Sequence, residues 1–329
     1  MLGPAIHNNK HMPIQKQRRL PAKSQLIGLV LLLLAAAVLY PQIGHFRESL
    51  LQLHHLRYGW LAAGISLTLL TYLAAGATYY FLAFRPLKYR KTVIAQFAAM
   101  FTNRLLPSGI GAVGTNYAYL RAHKQTNTQA GTMVAVNNLF GLLGHGLILG
   151  SVLIFSGAQA HLAGPRVNNY VFLAGFGGAV LVLTVIRFSS RLRTRVVHAI
   201  KNVATQIRSY SKQPARTLAA LASSSLLTLC NMLSLYACLL AVGGHASFVV
   251  VCLVFTFGIG ASTAIPTPGG LGGFEAGLLA GFIGYAIPHS TALSAVIVYR
   301  LISYWLTLLI GAGAFAYASR QGYFRLRKK

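Results

Sequence analysis

Six long apolar runs divide this chain, at residues 25–43, 59–84, 128–156, 169–187, 217–242 and 291–317. Each comes close to, or exceeds, the roughly 20 residues that a helix needs to cross a hydrocarbon core of about 30 Å. With 55% of residues hydrophobic and only 9% charged, the pattern predicts an all-α polytopic membrane protein with six full spans. The first run follows Lys16, Arg18, Arg19 and Lys23 as a signal peptide would. No small-x-small cleavage site with a polar flank comes after it, so it is expected to remain as a span.

Two further segments, 92–123 and 247–287, are built differently. Each holds two apolar stretches joined by a Pro/Gly loop, Leu106-Pro-Ser-Gly-Ile-Gly-Ala-Val-Gly114 in one and Pro266-Thr-Pro-Gly-Gly-Leu-Gly-Gly273 in the other. These are expected to be re-entrant hairpins or pairs of tilted spans, and either form returns the chain to its starting side. The distribution of Lys and Arg agrees with that parity. With returning segments, the N-terminal tail, Arg85 to Lys91, Arg121 with Lys124, the stretch Arg187 to Arg216 and the C-terminal Arg320 to Lys329 all fall inside, and only Arg47, Arg57 and Arg166 fall outside. Single crossings would instead turn the eight cations between Arg187 and Arg216 outward.

The layout then reads as two similar membrane repeats of opposite orientation, 25–156 and 169–317. Residues 1–24 and 318–329 are basic cytoplasmic tails, 157–168 is an external connection, and 188–216 is a basic cytoplasmic segment within the second repeat. Placing Pro107 on Pro268 sets Gly109-Ile-Gly111 on Gly270-Leu-Gly272 and brings Asn138 within one position of Arg300. Inverted-topology repeats with broken helices are an arrangement of many transporters, whose sites lie near the midplane. Between the repeats, Val196, Val197, Ile200, Val203 and Ile207 recur at helical spacing opposite Arg193, Lys201 and Arg208. That stretch fits either an interfacial helix or a solvated linker helix.

The formal charge of +27 would suggest nucleic acid in a soluble protein. Strung between apolar runs, the cations point to membrane orientation and anionic lipid instead. Cys230, Cys238 and Cys252 all fall in apolar segments and offer neither a disulfide framework nor metal-ligand spacing. No Walker loop, hydrolase elbow or dinucleotide fingerprint stands in a suitable context, so no cofactor and no enzymatic role are expected.

Only two carboxylates occur, and Glu275 stands in the second Pro/Gly loop at the head of an apolar stretch. An ionisable group kept at membrane depth is a functional candidate. Glycines at 269, 270 and 272 let the chain turn and let a ligand approach backbone amides, which at a helix N-terminus favour anionic groups. Arg300, deep in the last span, is the natural partner of Glu275, with Ser303 and Tyr304 on the same helical face. Arg104 before Pro107, and Asn138 in the span that ends the first half, are the corresponding candidates there. Asn137, His145, Ser224, Thr228 and Asn231 read as polar ties between helices.

The motif from Pro266 to Glu275, followed by Tyr299-Arg300-Leu-Ile-Ser-Tyr-Trp305 and Gly311, resembles the signature of the lysylphosphatidylglycerol synthase membrane-region family, also called the flippase-like domain family. Asn103-Arg104-Leu-Leu-Pro107 is similar to the family's entry to its first broken segment. Where the family commonly has Arg, Gly-Glu and a further Arg after that proline, this chain has Gly109, Gly111-Ala112 and Thr115. The resemblance implies movement of a lipid or lipid-linked substrate between leaflets, while the distribution of Lys and Arg puts both termini on the cytoplasmic side of a plasma (inner) membrane with anionic headgroups as expected partners. It does not imply aminoacyl transfer, which in the family belongs to an additional soluble domain. Two alternatives are an ion-coupled carrier of a small solute, with Glu275 as the ion site, and a non-transporting lipid-binding partner of another enzyme.

Single cysteines at Ser190 and Gly164 in a cysteine-free background are expected to react with an impermeant reagent from opposite sides of the membrane. Labelling of both from outside would refute the inverted arrangement.

Overall fold

The computed structural model describes residues 56–106, 109–155, 210, 212–264, 267 and 269–325. The predicted spans 25–43 and 169–187, the tail 1–24, the connection 157–168 and nearly all of 188–213 lie outside the described residues. Within them the chain is all-helical. Helix α1 is Tyr58–Leu82, α2 is Tyr89–Leu105, α3 is Ile110–Ala122 and α4 is Asn127–Phe155. After these come α5, Pro214–Ala241, α6, Phe248–Ala264, α7, Gly273–Gly284, and α8, His289–Arg300. A π-helical turn, Leu301–Leu306, joins α8 without a break to α9, Thr307–Arg320.

Among the described residues, four helices are long and apolar enough to cross a membrane: Tyr58–Leu82, Asn127–Phe155, Pro214–Ala241 and the continuous His289–Arg320. They coincide with the predicted spans 59–84, 128–156, 217–242 and 291–317. The two broken segments are helix pairs. Their second members, of 13 residues in α3 and 12 in α7, are only about 20 and 18 Å long at 1.5 Å per residue, too short to cross a core of about 30 Å unaided. The order long, short, short, long therefore occurs twice.

Local chemistry sets the helix ends. Pro86 disfavours helical backbone in the residue before it, and the chain leaves α1 through the extended Ala83. Pro214 opens α5 in the first turn, where its missing amide costs no bond. Gly243, at φ +77°, closes the same helix and lets the Gly244 amide reach back 2.9 Å to the Leu239 carbonyl.

Both broken segments return to the end from which they depart. Gln125, after α3, donates through Nε2 to the Arg85 carbonyl at 2.9 Å and accepts from the Arg85 amide at 3.3 Å, which ties the exit of the first pair to its entrance. A Cβ on Gly244, before α6, would stand 2.8 Å from Cγ2 of Thr291 at the start of α8. Cations gather at the first of these ends: Arg216 donates to the Ala83 carbonyl, Arg121 to the Gln125 carbonyl, and the Lys91 ammonium lies over the Tyr323 ring. The Arg57 amide meets the Ala241 carbonyl at the opposite end, so α1 and α5 run antiparallel.

Apolar side chains gain little from meeting one another in lipid, so helix association relies on close backbone approach and polar ties. The α1–α5 seam shows both devices. Thr68 and Ser234 join their hydroxyls at 2.8 Å, Ser234 also donates to the Gly64 carbonyl at 2.9 Å, and Gly64 faces Cys238. Ser234 is the polar tie that the sequence reading passed over in favour of Ser224 and Thr228, both of which are buried on α5. His145 Nε2 lies 3.0 Å from Thr256 Oγ1 and links α4 to α6, the packing role expected of it. The three cysteines are free and buried.

The α6–α7 pair is closed by glycines four residues apart. Cβ atoms on Gly273 and Gly277 would come within 2.9 Å of the Ala261 carbonyl oxygen and 2.9 Å of the Gly258 Cα, and Gly281 abuts Val254. Gly277→Val is expected to force the pair apart and to lower stability in detergent by about 1–3 kcal/mol, as overpacking does. Gly260→Val, at a glycine with open space around it, is the control. Equal losses from the two would show that this backbone contact is not tight.

Candidate functional site

The second loop meets the end of α2 inside the bundle. A Cβ on Gly269, which sits at φ +62°, would stand 3.3 Å from the Arg104 Cα and 2.6 Å from the Tyr304 ring, so the second loop lies directly on the end of α2. Gly270 and Gly272 are also at positive φ, +71° and +85°, which accounts for the glycines by the turn itself. The loop delivers the chain into α7 with Glu275 in the first turn.

Glu275 has two partners. Its Oε2 accepts from the Gly272 amide at 2.8 Å, satisfying a helix N-terminal donor, and its Oε1 lies 2.6 Å from Arg300 Nε. The expected pair is present, with the arginine side chain 11% and the carboxylate 26% exposed. Arg300 stands eleven residues into its helix, about 16 Å along it and near the middle of a core of about 30 Å.

Arg104 is the second cation of the same group. Its Nη2 donates to the Ser303 carbonyl and to Thr307 Oγ1, the latter at 2.8 Å. The π-helical turn makes that carbonyl available: the Thr307 amide bonds Tyr304 O, while Ser303 O accepts from the Thr307 hydroxyl at 2.7 Å and from Arg104. The buried Tyr304 ring is shared by both guanidinium groups, with centroid distances of 4.6 Å to Arg104 and 4.8 Å to Arg300. Phe274 lies 5.3 Å from Arg300. Such contacts hold a cation in apolar surroundings but leave its charge in place.

Two guanidinium groups thus converge with one carboxylate. Among the described residues, Arg104 Nε and Arg300 Nη2 are buried donors without a hydrogen-bond acceptor. A buried, unmatched donor on a cation is costly unless a ligand meets it. The arrangement is suited to an anion with oxygens that accept from both arginines.

Of the residues singled out in the sequence, Glu275, Arg300, Tyr304, Arg104 and Gly269 come together, and Gly270 and Gly272 shape the loop that brings them there. Asn138 is exposed on α4, and none of the contacts that assemble the cluster involves it. Thr115, standing where the family commonly carries an arginine, joins its hydroxyl to Thr102 at 2.7 Å and ties α2 to α3. Sequence reasoning missed Thr307, which Arg104 meets, and Tyr72 of α1, which lines a cavity together with Arg104. Thr307 is legible as the residue four beyond Ser303, whereas Tyr72 carries no local signal.

A cavity of about 90 Å³ adjoins the cluster between α1, α2, α5 and the π-helical turn. Arg104 and Ser303 form part of its wall together with Thr68, Thr71, Gln96 and Asn231. Asn231 thus lines this cavity in addition to tying its own helix.

These features define a polytopic helical membrane protein with a charged site enclosed where two broken helices meet. Residues 25–311 match the family described as the lysylphosphatidylglycerol synthase TM region, and the chain belongs to that family, as the motif from Pro266 to Glu275 led one to expect. It is similar to a UPF0104 membrane protein of Methanothermobacter thermautotrophicus (strain Delta H), with 32% identity over 124 residues, 37% of this chain and 36% of that relative. The chain spans little more than a third of the length of the curated relative it matches.

Glu275→Gln and Arg300→Gln are each expected to lower stability in detergent, and the double change is expected to recover part of the loss. The coupling should be about 0.5–3 kcal/mol in a double-mutant cycle. Strictly additive losses would show that the ion pair contributes nothing.

Proposed function

We propose that this protein moves a lipid or lipid-linked substrate between leaflets, taking an anionic headgroup on Arg104 and Arg300 at the meeting point of the two broken segments. The observation that carries the reading is the excess of one guanidinium over carboxylate around Tyr304, at membrane depth, with donors on both arginines still to be matched. In this reading the halves are inverted repeats, which the antiparallel run of α1 against α5 and the opposite bases of the two returning segments support. The end that gathers Arg85, Lys91, Arg121 and Arg216 faces the cytoplasm of a plasma (inner) membrane, with both termini there. The protein carries no chemistry of its own in this role and acts by binding.

An ion-coupled carrier using Glu275 is less well supported. Both carboxylate oxygens are engaged, one by the Gly272 amide and one by Arg300, which leaves a cation little to bind.

The test is leaflet exchange of a labelled anionic phospholipid in proteoliposomes, normalised to folded protein. Alanine in the loop would strain the turn at its positive-φ glycines, so Arg104 gives the cleaner experiment. Arg104→Gln removes a charge-assisted contact worth about 1.5–3 kcal/mol, and exchange is expected to fall roughly 10- to 100-fold, with Arg104→Lys retaining part of the activity. Unchanged exchange per folded molecule in Arg104→Gln would remove the cluster from the mechanism. Loss of a pH dependence in Glu275→Gln would favour the carrier instead.

A further inference from the structure

We infer that Glu275 is an internal stand-in for the substrate's anion: its Oε1 holds Arg300 between substrates, and an arriving anionic oxygen displaces it. The inference rests on the reading of the arginine cluster as a headgroup site and adds how that site is filled and cleared.

The two oxygens of Glu275 are committed unequally. Oε2 accepts from the Gly272 amide at 2.8 Å, a bond within its own loop that does not involve Arg300. Oε1 lies 2.6 Å from Arg300 Nε, yet the N–H is not directed at it, and among the described residues neither Nε nor Nη2 of that arginine has a hydrogen-bond acceptor. The contact therefore supplies opposite charge without the two parallel hydrogen bonds that a guanidinium makes with a well-placed oxyanion. A ligand with two oxygens in the plane of that guanidinium would hold Arg300 better than Glu275 does.

The surroundings make the exchange one-sided. Glu275 is 26% exposed in the first turn of α7, where the helix dipole favours a negative charge, and its bond to Gly272 is independent of Arg300. A Cβ on Gly272 would meet nothing within 4 Å, so there is open space beside the residue that anchors the carboxylate. Arg300 is 11% exposed and lies against the Phe274 and Tyr304 rings. Stripped of a counter-ion there, it would be a buried unpaired cation, which is strongly destabilising. The carboxylate can swing away and stay held by its own helix, whereas the arginine cannot be left bare, so the pair opens only as another anion takes over.

Arg104 makes the exchange favourable. Its acceptors are the Ser303 carbonyl and the Thr307 hydroxyl, both uncharged, so its positive charge is not neutralised by them. An incoming anion meets both arginines around Tyr304, while the ion pair of Glu275 is with Arg300. When the anion leaves, the carboxylate returns to offset two like charges that share one ring. Its presence weakens binding and speeds release.

The experiment measures binding of short-chain phosphatidylmethanol, a single negative charge with a minimal headgroup, to the purified full chain in detergent. Ligand-dependent thermal stabilisation reads the affinity, with phosphatidylcholine as the zwitterionic reference and inorganic phosphate as the soluble anion. Glu275→Gln is expected to bind phosphatidylmethanol roughly 10- to 100-fold more tightly than the unmodified protein, the equivalent of one charge-assisted contact no longer contested. Glu275→Asp keeps the charge at the helix N-terminus but withdraws it from Arg300, and is expected to bind roughly 3- to 10-fold more tightly. It carries the comparison should Glu275→Gln give no folded protein. In proteoliposomes, exchange of saturating phosphatidylmethanol per folded Glu275→Gln molecule is expected to fall about 10-fold, because release becomes slow. A carboxylate with only a structural role would not raise affinity while lowering exchange.

Unchanged or weaker binding in both variants, with phosphatidylmethanol still preferred to phosphatidylcholine, would overturn the exchange and leave the anionic-headgroup reading standing. Tighter binding in Glu275→Gln but not in Glu275→Asp would reduce the carboxylate to a background charge and overturn its role as occupant. Tighter binding with undiminished exchange would overturn its part in release. No preference for phosphatidylmethanol over phosphatidylcholine in any of the three proteins would overturn the headgroup reading itself, and inorganic phosphate binding as tightly as phosphatidylmethanol would transfer the site to a soluble anion.

Discussion

A guanidinium resting on a helix carbonyl holds the interior of this protein together. In an unbroken α-helix the Ser303 carbonyl would be committed to the Thr307 amide, whereas the π-helical turn diverts that amide to Tyr304 and leaves the carbonyl to Arg104. The contact joins the tip of α2 to the last long helix. Around it lie Tyr304, which both arginines share, and Gly269, where a side chain would collide with the Tyr304 ring. Each piece depends on another: the loop needs a glycine because the ring is there, and the ring is pinned because two cations flank it.

The same solvent constraint explains the economy of charge. Lipid satisfies no backbone group and screens no ion, so a polar atom at this depth must be matched by the protein or by what the protein binds. Most are matched internally, through the seam of Thr68, Ser234 and Gly64, the Thr102 to Thr115 pair, and the bond between Gln96 and Asn116. Among the described residues, the charged donors left over are on Arg104 and Arg300, which meet where the second loop packs on the end of α2.

Much of this was legible in the sequence. Four spans follow from apolar length alone, because a bilayer imposes one length on every helix that crosses it. The pairing of Glu275 with Arg300 follows from scarcity, since one carboxylate at membrane depth needs a cation and Arg300 lies at a similar depth. The role of Arg104 was harder to read. Its partner is a backbone carbonyl freed by a local change of helical winding, and Leu301–Leu306 contains no proline or glycine to announce that change. Asn138 was drawn in by an alignment of the halves that matched position along the helix and ignored which way the side chain turns. The glycines at 273, 277 and 281 do show their spacing openly, and their use is to seal α7 against α6.

The last long helix presents two unlike faces. Arg300 and Tyr304 look inward, while Leu301, Trp305 and Leu309 are 51%, 53% and 72% exposed along the other side. One helix diameter, about 10 Å, separates the charged group from that apolar surface. For a molecule with a polar end and long acyl chains, the two ends therefore find their proper solvents on either side of a single wall. In the proposed role the chains would stay among the bilayer's own while the polar end alone entered the protein, so the opening would have to suit a headgroup, not a whole lipid.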